Sequence, residues 1–323
     1  MRNVFLVGAL LVLCSGCGIG SFLVTPVENS PDLNEVQVEP GHGLFAPKIA
    51  IIEVQGTLAD VKTGGLLQAT ENPLSLFTQE LQKAADDSSV KAVVLRVNSP
   101  GGAVATSDTM YDEVLKFRKN TGKPVIASAQ EIDASGAYYV SCACDRIIVH
   151  PAGIMGSIGV IFEDFNVVGT MTMLGVQPQF IKSAPMKDIG SPFKLMTPPE
   201  RAVLQGLVDA YFERFKGIVS ANRPIKTPEA LAKVDDGRVF TGEEAVELGL
   251  ADQTGRLDDA IDLARQMAGA PGASVIMYKR VGAYQGSIYA DQSQPAPQAN
   301  ITTLQLPGSA SMLPGGFYYL WMP

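Results

Sequence analysis

Three segments of the sequence combine residue types that can perform acyl-transfer chemistry. The first is Asn98-Ser-Pro-Gly-Gly102, which directly follows the apolar run 92–97. A strand that enters Pro-Gly-Gly must turn sharply, and its glycines leave backbone N–H groups open to an approaching ligand. Such amides suit an oxyanion hole, whose donors face the charge that develops on a carbonyl oxygen. The alternative interpretation of this motif is a plain turn.

The second segment, Asp133-Ala-Ser-Gly-Ala137, stands between an apolar run and a helix rich in small residues. Ser135 is therefore expected at or near the helix N-terminus. There, small neighbours let a substrate backbone approach and the helix dipole favours negative charge. Ser135 is a candidate nucleophile. The alternative is an ordinary N-cap, in which Asp133 or Ser135 binds free helix amides.

The third segment, residues 181–191, contains Lys182 and Lys187. A lysine acts as a base towards serine only if burial lowers its pKa from about 10.4 towards neutrality. Either lysine is otherwise a solvated surface residue. The sequence has only two histidines, His42 and His150, and the second stands where a strand should end. The combination therefore favours a Ser-Lys pair over a Ser-His-Asp site.

Composition indicates a globular protein that does not bind nucleic acid. The 323 residues are 46% apolar and 18% charged, and the formal net charge is −8 without a Lys/Arg run. A nucleic-acid partner would call for a basic patch. Cys142 and Cys144 are too close in sequence for a relaxed disulfide with each other, and no Cys/His cluster accompanies them. We therefore expect two buried small residues, and neither a metal nor a cofactor.

Residues 1–17 have the features of an export signal. Arg2 supplies a positive start, residues 4–13 are apolar, and Ser15-Gly16-Cys17 ends the segment with small residues before a cysteine. This ending resembles a bacterial lipobox, although Cys14 stands where leucine is usual. The resemblance implies that Cys17 is lipidated and attaches the protein to a membrane. An uncleaved signal anchor is the alternative, and both place the folded part outside the cytoplasm.

The remaining chain divides into an arm, one domain and a tail. Residues 18–47 lack clear periodicity and predict a linker or a loosely attached arm, and residues 281–323 predict a low-complexity tail with an apolar C-terminal segment. Between them, in residues 48–280, short apolar runs alternate with amphipathic stretches, which predicts an α/β fold with mainly parallel strands. Strands are expected at 49–54, 92–97, 125–129, 147–149 and 273–277, and helices at 76–85, 107–117, 134–143, 198–219 and 241–248.

Several ordered motifs resemble the signal peptide peptidase A family of serine peptidases. They are Ser99-Pro-Gly-Gly102, Ala134-Ser-Gly-Ala-Tyr-Tyr139, Gly156-Ser-Ile-Gly-Val160, Lys182-Ser-Ala-Pro-Met-Lys-Asp188, Asp236-Gly-Arg-Val-Phe240 with Thr241-Gly, and Gly249-Leu-Ala-Asp252. The resemblance covers residues 48–268. It implies a crotonase/Clp-protease-like fold of repeated β-β-α units. It also implies a ring-like homo-oligomer, in which the lysine of one subunit reaches the serine of its neighbour. Leftover signal peptides and other unfolded apolar peptides are the implied substrates.

The same resemblance assigns roles to five residues. Ser135 is implied as nucleophile and Lys187, directly before Asp188, as general base. Gly102 and Gly136 are implied as the oxyanion-hole amides. Ser157 is implied as the hydroxyl that orients the lysine. The sequence departs from the family pattern at Ala137, where glycine is common, and at Ala184-Pro-Met186, where a Gly-Lys-Tyr type of sequence is usual.

Two other functions remain open at this point. A crotonase-like acyl-CoA hydratase or thioesterase would share the fold and the oxyanion hole, but it needs neither Ser135 nor Lys187. A non-enzymatic scaffold lipoprotein would keep the fold for assembly or binding alone. Labelling by a fluorophosphonate, which needs an activated serine, separates the scaffold from a peptidase.

Overall fold

The computed structural model of the chain describes residues 33–43, 45–60, 72–225, 227–280, 287–288 and 316–322. The strands are β1 (Leu33–Glu39), β2 (Lys48–Gln55), β3 (Val90–Ser99), β4 (Gly101–Ala103), β5 (Val125–Ala134), β6 (Arg146–Val149), β7 (Ile154–Gly156), β8 (Ile161–Glu163), β9 (Val239–Thr241), β10 (Gln253–Thr254), β11 (Ser274–Arg280) and β12 (Gly316–Leu320). The helices are α1 (Pro73–Asp86), α2 (Val104–Thr121), α3 (Gly136–Ser141), α4 (Val168–Met173), α5 (Pro198–Asn222), α6 (Pro228–Val234), α7 (Gly242–Leu248) and α8 (Leu257–Met267).

A mainly parallel sheet forms the centre of the molecule. Its strand order is β1-β11-β2-β3-β5-β6-β10, with β7 branching from β5 and β9 pairing with β7. The central strands β2 and β3 are rich in valine, isoleucine and leucine because helices cover both faces of the sheet. Helices α1, α2 and α3 pack on one face, and α8 packs on the other. The predicted α/β fold class is confirmed.

Helix boundaries follow local capping chemistry. The Asn72 side chain accepts hydrogen bonds from two amides at the start of α1, with Pro73 at the first position. Helix α5 begins with a capping box between Thr197 and Glu200, and it covers the predicted helix 198–219. Helix α3 is shorter than the predicted 134–143. At its start, Ala134 still belongs to strand β5, whose residues 132–134 pair with β7.

Two segments outside the predicted domain join the fold. Residues 33–39 of the predicted arm form β1, which pairs antiparallel with β11 at the edge of the main sheet. An edge strand is hydrogen-bonded on one side only and carries polar residues, so its sequence pattern is weak. Residues 316–320 of the predicted tail form β12. The predicted export signal and Cys17 lie outside the described residues. In the part of the chain that is described, no helix is long and apolar enough to cross a membrane.

Candidate active site

Ser135 lies in a sharp turn between β5 and α3. Its backbone angles are φ 56° and ψ −117°, a region that L-residues rarely occupy and that costs about 1–3 kcal/mol. The turn is held by the Ser135 N–H, which donates to the Gly156 oxygen at 2.7 Å. The Ser135 carbonyl in turn accepts from the Tyr139 N–H at 2.9 Å. The residue is only 1% exposed. A strained, buried serine at the start of a helix is typical of a functional position.

The side chains at this turn do not cap the helix. Ser135 makes no side-chain hydrogen bond to the first amides of α3. Asp133 does not cap it either, because its Oδ2 accepts from the Ser141 hydroxyl at 2.9 Å. The N-cap interpretation of this segment is therefore wrong. The amides at the start of α3 are left without a side-chain cap, as an oxyanion site requires.

The Gly-Gly turn places a second amide beside that helix start. Strand β4 is bound on one edge by Leu58, whose N–H donates to the Gly101 oxygen and whose oxygen accepts from the Ala103 N–H, both at 2.8 Å. A side chain at Gly102 would collide with the Leu58 backbone. A Cβ built on Gly136 would lie 3.2 Å from the Gly102 nitrogen. Glycine is required here because the two backbones approach too closely for any side chain.

Ser157 is the neighbour of Ser135 across the sheet. Strand β7 pairs with the end of β5, so Gly156 accepts from the Ser135 N–H and Ser157 follows directly. Ser157 is 7% exposed, and its N–H donates to the Arg238 oxygen at 2.7 Å. Among the described residues, Ser135 and Ser157 are the non-glycine residues with positive φ. The structure therefore gathers Gly102, Ser135, Gly136 and Ser157 at one place.

Lys187 lies on an exposed loop. Its ammonium group makes no hydrogen bond or ion pair with any residue that the structure describes. Lys182, the other lysine of the segment, donates to Asp188 at 2.7 Å, and Lys194 binds the same carboxylate at 3.0 Å. These contacts lower the pKa of Asp188, chiefly through the Lys182 hydrogen bond. Lys182 is thus engaged, whereas Lys187 is not.

Asp133 is a site residue that the sequence patterns did not single out for its charge. It is fully buried behind Ser135, and this burial raises its pKa to about 7. Its Oδ1 atom has no hydrogen-bond partner in the described structure.

The buried residues Cys142 and Cys144 are free thiols, and burial raises the pKa of Cys142 to about 12. Such a thiol stays protonated and inert, so the cysteines act as buried small residues.

Comparisons of the sequence relate this chain to one peptidase family and to named proteases. Residues 117–270 match the description "Peptidase family S49". A protein of Enterococcus faecium named "Putative signal peptide peptidase SppA" is 34% identical over 250 residues, which cover 77% of this chain and 72% of that protein. "Protease 4" of Salmonella typhi is 34% identical over 66% of this chain but only 35% of its own length. "Serine protease SPPA, chloroplastic" of Arabidopsis thaliana is 28% identical over 76% of this chain and 37% of its own length.

Proposed function

Because the chain belongs to peptidase family S49, we propose that it is a membrane-attached serine endopeptidase that uses a Ser135/Lys187 dyad. The observation that carries this proposal is the strained turn at Ser135, beside which the Gly102 and Gly136 amides converge. A carbonyl bound at that point meets a hydroxyl nucleophile and two N–H donors at once, which is the arrangement that acyl transfer needs.

The reaction begins when neutral Lys187 takes the proton of the Ser135 hydroxyl as its oxygen attacks a peptide carbonyl. The oxyanion that forms is stabilised by the amides of Gly102 and Gly136, each worth about 3 kcal/mol in a well-aligned hole. The C–N bond then breaks, and the amine leaves with the proton that Lys187 holds. Water attacks the acyl-enzyme with the same lysine as base, and this step releases the acid product and restores Ser135.

The difference in exposure between the two groups supports a dyad formed between subunits. Ser135 is buried and Lys187 is exposed, on a loop that also exposes large apolar side chains. Met173 is 82% exposed and Leu174 is 73% exposed. Exposed apolar patches of this kind mark contact surfaces between proteins. A ring-like homo-oligomer would cover them and carry Lys187 of one subunit to Ser135 of the next. Burial there would lower the lysine pKa, as a neutral base requires.

The proposed substrates are leftover signal peptides and other unfolded apolar peptides, at the outer side of a bacterial cytoplasmic membrane. The name of the Enterococcus faecium relative supports the substrate class. The apolar segment 4–13 and Cys17 support membrane attachment through a lipid or an uncleaved anchor. No cofactor takes part in the proposed reaction, since serine, lysine and backbone amides supply the nucleophile, the base and the electrophilic assistance.

The proposal is tested by casein cleavage with the wild-type protein and three variants. Ser135→Ala and Lys187→Ala should each lower the rate by at least about a thousandfold, because each removes a reacting group. Lys182→Ala is the matched control, since it removes a neighbouring lysine whose ammonium binds Asp188. It should retain most of the activity.

Two measurements make each outcome of this test decisive. Size-exclusion chromatography checks that all variants assemble alike, and fluorophosphonate labelling reports an activated serine without any peptide substrate. Full activity in Lys187→Ala would show that the base is misassigned. An assembled wild-type protein that neither cleaves casein nor reacts with the fluorophosphonate would overturn the peptidase proposal. That result would favour a scaffold lipoprotein.

A further inference from the structure

The described part of the C-terminal tail is a strand that lies beside the Gly-Gly turn. β12 pairs antiparallel with β4 on one edge and antiparallel with β8 on the other, and the three strands form a small separate sheet. Tyr319 stands opposite Gly102, and Phe317 stands opposite Phe162. An extended peptide between two strand edges forms main-chain hydrogen bonds on both sides, which is a common mode of peptide recognition.

The carbonyl of Tyr319 lies close to both glycines of the candidate active site. The carbonyl of Gly101 accepts from the Leu58 N–H, on the edge of β4 away from β12. The C=O of one residue and the N–H of the next belong to the same trans peptide group and point in opposite directions, so the N–H of Gly102 faces Tyr319. A Cβ on Gly136 would lie 3.0 Å from the Tyr319 oxygen. β12 therefore presents a carbonyl oxygen at the point where a reacting carbonyl would be held.

The side chain of Tyr319 fills an aromatic pocket next to this carbonyl. Its ring is stacked on Tyr139, with centroids 5.2 Å apart, and is tilted against Phe215 at 4.8 Å. Tyr111 packs edge-on against the same Tyr139 ring at 5.3 Å. The Tyr319 hydroxyl donates to the Tyr211 backbone oxygen at 2.8 Å. The side chain is completely buried. The pocket thus combines ring faces with one hydrogen-bond acceptor at its end.

The pocket is fixed in position relative to the nucleophile. Tyr139 lies on α3, the short helix whose N-cap residue is Ser135. Its hydroxyl donates to Asp108 at 2.6 Å, and the Arg214 guanidinium binds the same carboxylate oxygen from helix α5, with its Nε at 2.9 Å. The orientation of the Tyr139 ring is therefore set by three elements. A pocket with such a wall selects by shape, because its wall cannot move without breaking these bonds.

We propose that this aromatic pocket is the specificity pocket of the peptidase, and that it selects a tyrosine as the residue directly before the cleaved bond. The inference rests on the proposed function, because it takes Ser135 as the nucleophile. β12 occupies the groove as a peptide substrate would, with Tyr319 in the selective position. A substrate must displace β12, so the strand lowers the rate by competition.

The chemistry of the pocket sets an order of preference. Tyrosine fills the pocket and donates to the Tyr211 oxygen. Phenylalanine fills it without that donor, which should reduce kcat/KM about threefold to tenfold. Leucine and alanine leave increasing empty volume, and a charged side chain would be buried among rings without a partner. O-methyltyrosine is a sharp probe, because it keeps the ring but can no longer donate a hydrogen bond.

The experiment compares peptides that differ only at the residue before the cleaved bond. Full-length protein is assayed with tyrosine, phenylalanine, O-methyltyrosine, leucine and alanine at that position, and the cleavage sites in casein are mapped by mass spectrometry. We expect kcat/KM to fall in the order tyrosine, phenylalanine, leucine, alanine, with O-methyltyrosine below phenylalanine. Cleavage in casein should be concentrated after tyrosine and phenylalanine.

A variant of β12 tests the competition separately. Tyr319→Ala empties the pocket but leaves most of the strand in place, and it should lower KM for the tyrosine peptide about tenfold by loosening the competitor. Met322→Ala is the control, because its half-exposed side chain lies beyond the pocket. It should leave KM unchanged. An unchanged KM in Tyr319→Ala would overturn the competition.

The outcomes separate the inference from the function on which it rests. Casein cleavage that depends on Ser135 but shows no preference for aromatic residues before the cleaved bond would overturn the specificity pocket and leave the peptidase standing. Failure to cleave casein and every peptide, together with no fluorophosphonate labelling, would overturn both. A preference for phenylalanine over tyrosine would keep the aromatic pocket but remove the role of the Tyr211 oxygen.

Discussion

The turn at Ser135 and the loop that carries Lys187 are built in opposite ways. The turn is buried, strained and held by hydrogen bonds from β7, and its neighbours Asp133 and Ser157 are buried as well. The segment of residues 164–197, here called the lysine loop, includes the short helix α4 and is largely exposed. Several of its large apolar side chains contact solvent. One chain thus brings the proposed nucleophile and the proposed oxyanion donors together. The proposed base lies on an exposed surface.

The sharpest way to break this comparison is to mix two inactive variants. Ser135→Ala and Lys187→Ala, dissociated and reassembled together, should recover about a quarter of the wild-type activity, because a quarter of randomly formed interfaces join an intact serine to an intact lysine. Casein cleavage measures the recovery, and each variant reassembled alone is the control. If the mixture stays inactive while mixed oligomers are present, the dyad forms within one chain.

A charged side chain on the lysine loop should disrupt the proposed contact between subunits. Ile181 is fully exposed, so Ile181→Glu leaves the fold of one chain intact, yet it would bury a carboxylate in the proposed contact between subunits. We expect smaller particles in analytical ultracentrifugation and a loss of activity of about a hundredfold. The melting temperature of the dissociated chain should not change. Unchanged assembly would show that this surface is not the contact.

Substitution of Ser157 tests whether its hydroxyl orients the proposed base. Ser157→Gly removes the hydroxyl and suits the backbone, whose φ is 51°. If the hydroxyl positions the lysine amine, kcat should fall about tenfold and the ascending limb of the pH–rate profile should move to higher pH. The shift distinguishes a positioning role from a structural one. A lower kcat with an unmoved pH profile would contradict the assignment.

The last expected effect is that of substituting Asp133, and it concerns the free energy of unfolding. Burial raises its pKa from 3.8 to about 7, so the folded state favours the protonated acid. Ionisation therefore costs stability increasingly as the pH rises from about 4 through 7. Asp133→Asn keeps an acceptor for Ser141 but cannot ionise, so it should be on the order of 2 kcal/mol more stable than wild type at pH 8. Urea unfolding at pH 4 and pH 8 measures the difference, which should be several-fold smaller at pH 4, close to the pKa of the carboxyl in the unfolded chain.

Much of the fold was predictable because it depends on local sequence. Parallel strands that are covered on both faces are mainly apolar, and 49–54 and 92–97 show this pattern, interrupted only by Glu53 and Arg96. The start of helix α5 is indicated in the sequence by Thr197, two prolines and Glu200. Strand β1 escaped prediction because an edge strand needs few apolar residues and its partner β11 is far away in sequence. The pairing of β12 with β4 escaped because the two strands are far apart in the sequence.

The candidate site was predictable in its members but not in its arrangement. Ser135, Gly102, Gly136 and Ser157 were singled out from small-residue motifs, and they do lie together. The role of Lys187 stays a prediction, since its side chain forms no hydrogen bond or ion pair with the described residues that would fix it. The burial of Asp133 and the aromatic pocket were missed, because both depend on residues that are distant in the chain.

The sequence by itself determined the central strands, several helices, the family and the small residues at the turn, because each of these follows from neighbouring side chains. The tertiary structure decided the strained conformation of Ser135, the convergence of two glycine amides and the position of β12. The physical reason is that backbone conformation at a tight turn is imposed by the strands that pack around it. The local sequence of a turn does not specify which distant backbone packs against it.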